Sequence, residues 1–219
     1  MTLSNAGRDR IKRTFEPVAL AMGRAGLTPD ALTLVGFAIT VAGAVLLGAQ
    51  LWAIGGIVVF AGGVFDMFDG TLARATGQAS PLGAFMDSVF DRWGEAIVYV
   101  GIAAGAALAG FEPGAILAAA AMASAFMVSY TRSKSEGLGF TAGTGMAAVG
   151  LAPREIRLVI LSIGLVVAGL AGVGPTASGG SLILAATLGL IVILATITVI
   201  QRIVHVRSQA AEGHPRPAR

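Results

Sequence analysis

The chain has 219 residues, of which 55% are hydrophobic and 12% charged, and its mean hydropathy is +0.81. Its apolar runs are too long for the core helices of a soluble domain, so we expect an integral membrane protein. Cysteine is absent, which excludes disulfides, thiolate catalysis and cysteine-ligated metals. The formal net charge of +3 is explained by how the loops of a membrane protein are oriented, and we expect no nucleic-acid partner.

The first predicted element is an amphipathic helix over residues 5–23 that lies in the membrane interface. Its apolar residues recur at helical spacing opposite a basic face: Ile11, Phe15, Val18 and Met22. Charges and turn residues occur throughout the beginning of the chain, so we expect no removable leader. Residues 1–30 are therefore predicted to form a cytoplasmic interfacial helix and a linker.

Six apolar segments follow, each with roughly the 20 residues that a helix needs to cross the hydrocarbon core of a bilayer. Turn residues separate them. Their predicted bounds are 31–49, 52–73, 84–109, 114–133, 155–173 and 180–202. The predicted fold class is an all-α integral membrane protein, with six transmembrane helices in a domain over 31–206. Residues 207–219 are polar and are expected to form a disordered cytoplasmic tail.

The basic residues indicate the orientation of the spans. An even number of spans puts both termini on one side, together with the second-to-third and fourth-to-fifth connections. All 15 arginines and lysines fall there or at span ends that face that side. The positive-inside rule makes this side cytoplasmic. We therefore expect a multi-pass protein of a prokaryotic cell membrane, with both termini and the active site on the cytoplasmic side.

Four aspartates stand near the cytoplasmic ends of the second and third spans. Asp66 and Asp69 share one helical face, and Asp87 and Asp91 share another. A single membrane aspartate is often a helix cap or a buried polar contact, but four clustered carboxylates repel one another and require cations. Oxygen ligands favour Mg²⁺ or Mn²⁺. Two such ions about 4 Å apart are suited to displacement at phosphorus, so the pattern predicts a phosphoryl-transfer site.

Small residues and one arginine accompany these aspartates. Gly70 and Ala73 follow on the face of the first pair and would let a nucleotide pyrophosphate approach the backbone. Arg74 could bind phosphate with two parallel hydrogen bonds. Gly83 precedes the second pair and could serve close contact between helices.

This segment resembles the signature of the CDP-alcohol phosphotransferase family, D-x2-D-G-x2-A-R-x8-G-x3-D-x3-D. Every fixed position is matched, by Asp66, Asp69, Gly70, Ala73, Arg74, Gly83, Asp87 and Asp91. The resemblance implies that Asp66, Asp69 and Asp87 ligate two Mg²⁺ ions, with Mn²⁺ as a substitute. It implies that Asp91 serves the metal site and is the general base. It also implies that the protein is a homodimer.

The same resemblance implies a binding region for the CDP group of a CDP-diacylglycerol or CDP-archaeol donor. The family has a T-P-N/D-x-L-T segment at the start of the first span, which the sequence "TPDALT" at 28–33 matches. The implied donor-binding residues are Pro29, Asp30, Ala31, Thr33, Gly70, Arg74 and Ser80. A helix N-cap at Thr28 with proline just inside it would explain the start of this segment equally well.

A second group of polar residues lies on the same side of the membrane: Ser129, Arg132, Lys134, Arg154 and Arg157. They could bind an acceptor that carries its own phosphate, or they could be ordinary positive-inside flanking residues. Their arrangement resembles the phosphatidylinositol phosphate synthases of actinobacteria and the related archaeal synthases. That resemblance implies inositol 1-phosphate as the acceptor, contacted by Ser129, Arg132 and Arg154.

Three alternatives remain open. Glycerol 3-phosphate would use the same metals and a similar basic pocket, which would make the protein a phosphatidylglycerol phosphate synthase. An unidentified alcohol would suit a pocket that has diverged. A cation transporter would also hold intramembrane carboxylates, but it would require acids near the bilayer midplane and polar residues along both halves of a path.

Overall fold

The computed structural model describes residues 16–140, 149–175 and 178–211. Over these ranges the chain is helical apart from short connections, and it contains no strand. A short helix, α1, covers 16–24. Six longer helices follow: α2 Pro29–Gly48, α3 Trp52–Ala75, α4 Pro81–Leu108, α5 Glu112–Gly137, α6 Arg154–Ala171 and α7 Gly179–Ala211.

Each long helix corresponds to one predicted span, although the ends differ by up to nine residues. Helices α2, α3, α5 and α7 are long and apolar enough to cross a membrane by length and composition. Helix α4 carries several charged residues in its first half, and α6 has only 18 residues and begins with charged ones. The prediction of an all-helical membrane protein is confirmed for the described residues, whereas the count of six spans stays a prediction.

The ends of the chain differ in part from expectation. Helix α1 overlaps the end of the predicted interfacial helix, whereas Ile11 and Phe15 lie outside the described residues. Ala19 of α1 is buried against Leu32 of α2 and Leu72 of α3. Helix α7 continues to Ala211, so residues 207–211, which were expected in the tail, are helical. Residues 212–219 lie outside the described part of the chain.

The long helices pack as a closed cycle of neighbours. Helix α2 contacts α3 and α4, α3 contacts α6, α6 contacts α7, α7 contacts α5, and α5 contacts α4. The α2–α4 contact is especially close, because a Cβ atom on Gly101 would lie 2.3 Å from the Ala44 carbonyl oxygen and one on Gly105 would lie 2.2 Å from that of Leu47. These two glycines therefore let the two backbones touch.

Helices α2 and α4 begin in the same way. The backbone N–H of Ala31 donates a hydrogen bond to Thr28 Oγ1 at 3.2 Å, and that of Gly83 donates to Ser80 Oγ at 3.0 Å. A proline follows each capping residue in the first turn. Capping hydroxyls satisfy backbone donors that a helix start leaves free, and proline suits the first helical position. The N-cap interpretation of Thr28 is thus confirmed.

Candidate functional site

Three aspartates meet where α3 ends and α4 begins. Only residues 76–80 connect the two helices, so the end of α3 and the start of α4 lie at the same end of the helix bundle. One carboxylate oxygen from each of Asp66, Asp69 and Asp87 lies within 4.8 Å of the other two. The helical spacing of the first pair and the short connection together bring three of the four predicted metal ligands to one point.

Asp69 is the most deeply placed of the three, with 5% of its surface exposed. Thr33 Oγ1 on α2 donates to Asp69 Oδ2 at 2.5 Å, and the backbone N–H of Gly70 contacts Oδ1. Thr33 also lies 3.2 Å from the carbonyl oxygen of Pro29. A residue predicted to border the donor nucleotide therefore orients a predicted metal ligand.

The carboxylate cluster fits a divalent cation. Within the described ranges, neither Asp69 nor Asp87 takes part in an ion pair with a basic side chain. Like charges held this close need compensation. Ligands that are all carboxylate oxygens suit hard cations such as Mg²⁺ and Mn²⁺. The chemistry and spacing of these side chains thus match a divalent metal site.

Asp91 lies one turn beyond Asp87 on α4 and is flanked by two guanidinium groups. Arg154 Nη1, from the start of α6, is 2.5 Å from Asp91 Oδ1 and 2.8 Å from Asp66 Oδ2. Arg92 Nη2 is 3.3 Å from Asp91 Oδ2. Arg154 was predicted as a ligand of the acceptor, and the structure brings it to the edge of the aspartate cluster.

The other predicted acceptor residues are distributed differently. Ser129 on α5 accepts a hydrogen bond from the Arg92 guanidinium and so lies close to Asp91. Arg132 and Lys134 are exposed near the end of α5, where Arg132 Nε pairs with Glu136 Oε1 at 3.0 Å. The structure therefore brings Ser129 to the site and leaves these two basic side chains on the surface.

Arg157 is a buried structural residue, with only 2% of its side chain exposed. It donates to Glu95 Oε1 from Nη2 at 2.7 Å and from Nε at 3.1 Å, and to the carbonyl oxygen of Ala152 at 2.8 Å. These contacts join α4 to α6 across the middle of the helix cycle. Because this side chain is almost fully buried, its geometry does not support the predicted contact with a phosphate.

Sequence reasoning missed Arg92 and Glu95 as members of this site. Glu95 Oε2 accepts from Arg92 Nη1 at 3.1 Å, while its other oxygen accepts from Arg157. The signal was present, since Asp87, Asp91 and Glu95 follow one another at intervals of four residues and share a helical face. A small cavity of about 40 Å³ adjoins Glu95 and is large enough for a water molecule.

The predicted donor-binding residues gather at the starts of α2 and α4 and the end of α3. A Cβ atom on Gly70 would lie 3.2 Å from Arg74 Nη1, so the guanidinium folds back over this glycine. A Cβ atom on Gly83 would lie 3.1 Å from Ser80 Oγ and 4.0 Å from Asp30 Oδ1. The remaining members are half-buried in the first turn of α2: Pro29 and Ala31.

Two proteins with related names are similar to this chain over most of its length. The chain is 32% identical over 208 residues to the archaetidylinositol phosphate synthase of Pyrococcus horikoshii, which covers 94% of this chain and 97% of the relative. It is 35% identical over 219 residues to the phosphatidylinositol phosphate synthase of Streptomyces avermitilis, covering 96% of this chain and 85% of the relative.

Solved structures of the Mycobacterium tuberculosis phosphatidylinositol phosphate synthase share the fold. The structure with CDP-DAG bound has a TM-score of 0.74 and is 28% identical in sequence to this chain. The match covers 89% of this chain and 94% of the solved chain. The structure in complex with manganese and citrate has a TM-score of 0.75, 28% identity and 89% coverage of both chains. The family model described as CDP-alcohol phosphatidyltransferase matches residues 26–210. The chain belongs to the CDP-alcohol phosphatidyltransferase family.

Proposed function

We propose that this protein is an enzyme of phospholipid biosynthesis that transfers the phosphatidyl or archaetidyl group of a CDP-lipid to inositol 1-phosphate and releases CMP. The observation that carries the proposal is the convergence of Asp66, Asp69 and Asp87 within 4.8 Å beside Asp91 and its two arginines. The names of the Pyrococcus and Streptomyces relatives support inositol phosphate as the acceptor.

Asp66, Asp69 and Asp87 would hold the metal, which we propose to be two Mg²⁺ ions, with Mn²⁺ as a substitute and Asp91 serving the same site. When bound, such ions neutralise the pyrophosphate oxygens and the negative charge that develops on the departing CMP. Thr33 keeps Asp69 oriented through its 2.5 Å hydrogen bond. The protein thus supplies a fixed set of oxygen ligands at the ends of two rigid helices.

The donor would bind with its CDP group over the helix starts described above. Gly70 leaves the backbone open to a pyrophosphate, and the Arg74 guanidinium lies beside it. Asp30 and Ser80 would border the nucleotide. The lipid chains would remain in the bilayer, because the site lies where apolar helices end and charged residues begin.

In the reaction, a hydroxyl oxygen of the acceptor attacks the phosphorus that carries the lipid. A new oxygen–phosphorus bond forms, and the bond between this phosphorus and the oxygen of CMP breaks. Asp91 would accept the hydroxyl proton. Arg154 and Ser129 would bind the acceptor phosphate, since both side chains lie beside Asp91 through the contacts described above.

We further propose that all six long helices cross a prokaryotic cell membrane, with the aspartates and both termini on the cytoplasmic side. The distribution of the 15 basic residues supports this orientation. The charged first half of α4 would then lie at the cytoplasmic boundary, where water and metal are accessible. We also propose that the protein is a homodimer, as the family resemblance implies.

The proposal can be tested with purified protein in detergent, CDP-diacylglycerol, Mg²⁺ and labelled inositol 1-phosphate. We expect label to enter extracted lipid together with an equal amount of CMP, and both to be lost with chelator or with Asp91→Asn. If label enters lipid from glycerol 3-phosphate alone, the proposed type of reaction stands and glycerol 3-phosphate is the acceptor. Absence of CMP release with either acceptor would contradict the proposed enzyme and leave the transporter alternative to be tested.

A further inference from the structure

Arg92 lies at the centre of the polar contacts next to the predicted general base, although neither the aspartate signature nor the predicted acceptor pocket includes it. Its guanidinium contacts Asp91 at 3.3 Å, Glu95 at 3.1 Å and the Ser129 hydroxyl. Its side chain is 26% exposed, so it remains accessible to a ligand. Arg92 therefore links the predicted base on α4 to the predicted phosphate ligand on α5.

The other candidate cations are less suited to this position. Arg157 is almost fully buried and directs its donors to Glu95 and a backbone carbonyl. Arg132 pairs with Glu136 at the surface, and Lys134 is exposed on the same helix end. Only two of the basic side chains in the described residues lie within ion-pair distance of Asp91, and these are Arg92 and Arg154.

The geometry fits a phosphorylated alcohol. An acceptor hydroxyl at Asp91 would place the rest of the molecule between the two guanidinium groups that flank this carboxylate. Arginine binds phosphate well because its planar donors match the phosphate oxygens. Glu95 holds Arg92 in place through one oxygen, and the Ser129 hydroxyl beside it can rotate to donate to a phosphate oxygen.

We propose that Arg92 binds the phosphate of the acceptor together with Ser129 and Arg154, and thereby selects a phosphorylated alcohol over the free alcohol. This inference rests on the proposed function and deepens it, because it assigns a specificity-determining residue to the same site. Glu95 acts through Arg92 as a positioning residue. Arg157, by contrast, joins α4 to α6 through its hydrogen bonds to Glu95.

The test compares Arg92→Gln and Arg92→Lys with the unmodified protein. Hydrogen bonds to charged groups contribute about 1.5 to 3 kcal/mol, so we expect the KM for inositol 1-phosphate to rise about 10- to 150-fold in Arg92→Gln. The KM for CDP-diacylglycerol should stay unchanged. Arg92→Lys should recover part of the loss, because it keeps the charge but not the two-pronged geometry. Arg207→Gln, which alters an exposed arginine of α7, is the matched control.

Calorimetric measurement of inositol 1-phosphate binding in the presence of Mg²⁺ separates this inference from the proposed function. Thermal unfolding in detergent shows whether Arg92→Gln is folded. If it is not, Arg92→Lys takes its place in the comparison. Binding by the unmodified protein that Arg92→Gln loses selectively would support the inference. Equal binding of inositol 1-phosphate by the unmodified protein and Arg92→Gln would overturn the inference while the proposed function stands. Equal losses of affinity for inositol 1-phosphate and CDP-diacylglycerol in Arg92→Gln would do the same. If the unmodified protein neither binds nor uses inositol 1-phosphate, the proposed acceptor fails, and glycerol 3-phosphate then replaces it in both measurements.

Discussion

At the scale of single residues, the hydrogen bond from Thr33 to Asp69 is a contact through which α2 supports the proposed metal site. The hydroxyl holds one oxygen of a carboxylate that is 5% exposed. Groups that orient a metal ligand commonly change metal affinity 10- to 100-fold when they are removed. We therefore expect Thr33 to affect the reaction through Asp69, whereas its predicted role was contact with the nucleotide.

We expect Thr33→Val, which keeps the size of the side chain and removes the hydroxyl, to raise the Mg²⁺ concentration needed for half-maximal CMP release by about 10- to 100-fold. Activity at saturating Mg²⁺ should fall much less. Thr187→Val is the control, because the Thr187 hydroxyl bonds only to the Ile183 carbonyl of its own helix at 2.8 Å in the described residues. An unchanged metal requirement in Thr33→Val would refute the orienting role.

The sequence predicted the convergence of the aspartates better than it predicted the positions of the proposed acceptor residues, for a physical reason. Asp66 and Asp69 are one turn apart on one helix, so helical spacing alone places them together. Arg157 was grouped with the acceptor ligands because its charge resembled theirs. Its partner Glu95 lies 62 residues away on another helix, and a contact over that separation depends on how the helices pack.

At the scale of helices, α2 packs closely against both α3 and α4 and so links the two helices that carry the aspartates. Gly101 and Gly105 permit the close approach of α4 to α2. The predicted bounds match the helices to within four residues, except at the end of α7, which was predicted at 202 and lies at Ala211. The start of α4 was predicted at 84 and lies at Pro81, because the Ser80 cap and the following proline extend the helix beyond its apolar part.

Replacing Gly101 with alanine should destabilise the fold. The added Cβ atom would lie 2.3 Å from a backbone oxygen of α2, and overpacking of this kind costs about 1 to 3 kcal/mol. Gly189→Ala is the matched control, because no atom lies within 4 Å of the Cβ that it adds to α7. We expect thermal unfolding in detergent to show a lower Tm for the first variant and an equal or higher Tm for the second. Equal losses of Tm would argue against the close contact.

At the scale of the whole molecule, the sequence predicted an orientation that the packing of the helices does not test. The charged ends of α3, α4 and α6 meet at the aspartate site, while the α2–α3 connection lies at the opposite ends of its helices. Ala49, Gln50 and Leu51 form that connection and carry no charge. From the positive-inside rule we therefore propose that this connection lies outside and that the site faces the cytoplasm.

The absence of cysteine makes this orientation directly measurable. We expect Gln50→Cys to react with a membrane-impermeant maleimide in intact cells. Gln78→Cys, in the connection between α3 and α4, should react only after the cells are permeabilised. Labelling of residue 78 but not 50 in intact cells would reverse the proposed orientation, and labelling of both would contradict the separation of the two connections by a membrane.

The central claim of this account is that Asp66, Asp69 and Asp87 hold the divalent metal on which the transfer depends. The most direct measurement is anomalous X-ray diffraction from crystals of the purified protein grown with Mn²⁺. The account predicts an anomalous peak between these three carboxylates, and its loss in Asp69→Asn crystals grown in the same way. A peak elsewhere in the protein, or no peak between the aspartates at saturating Mn²⁺, would contradict it.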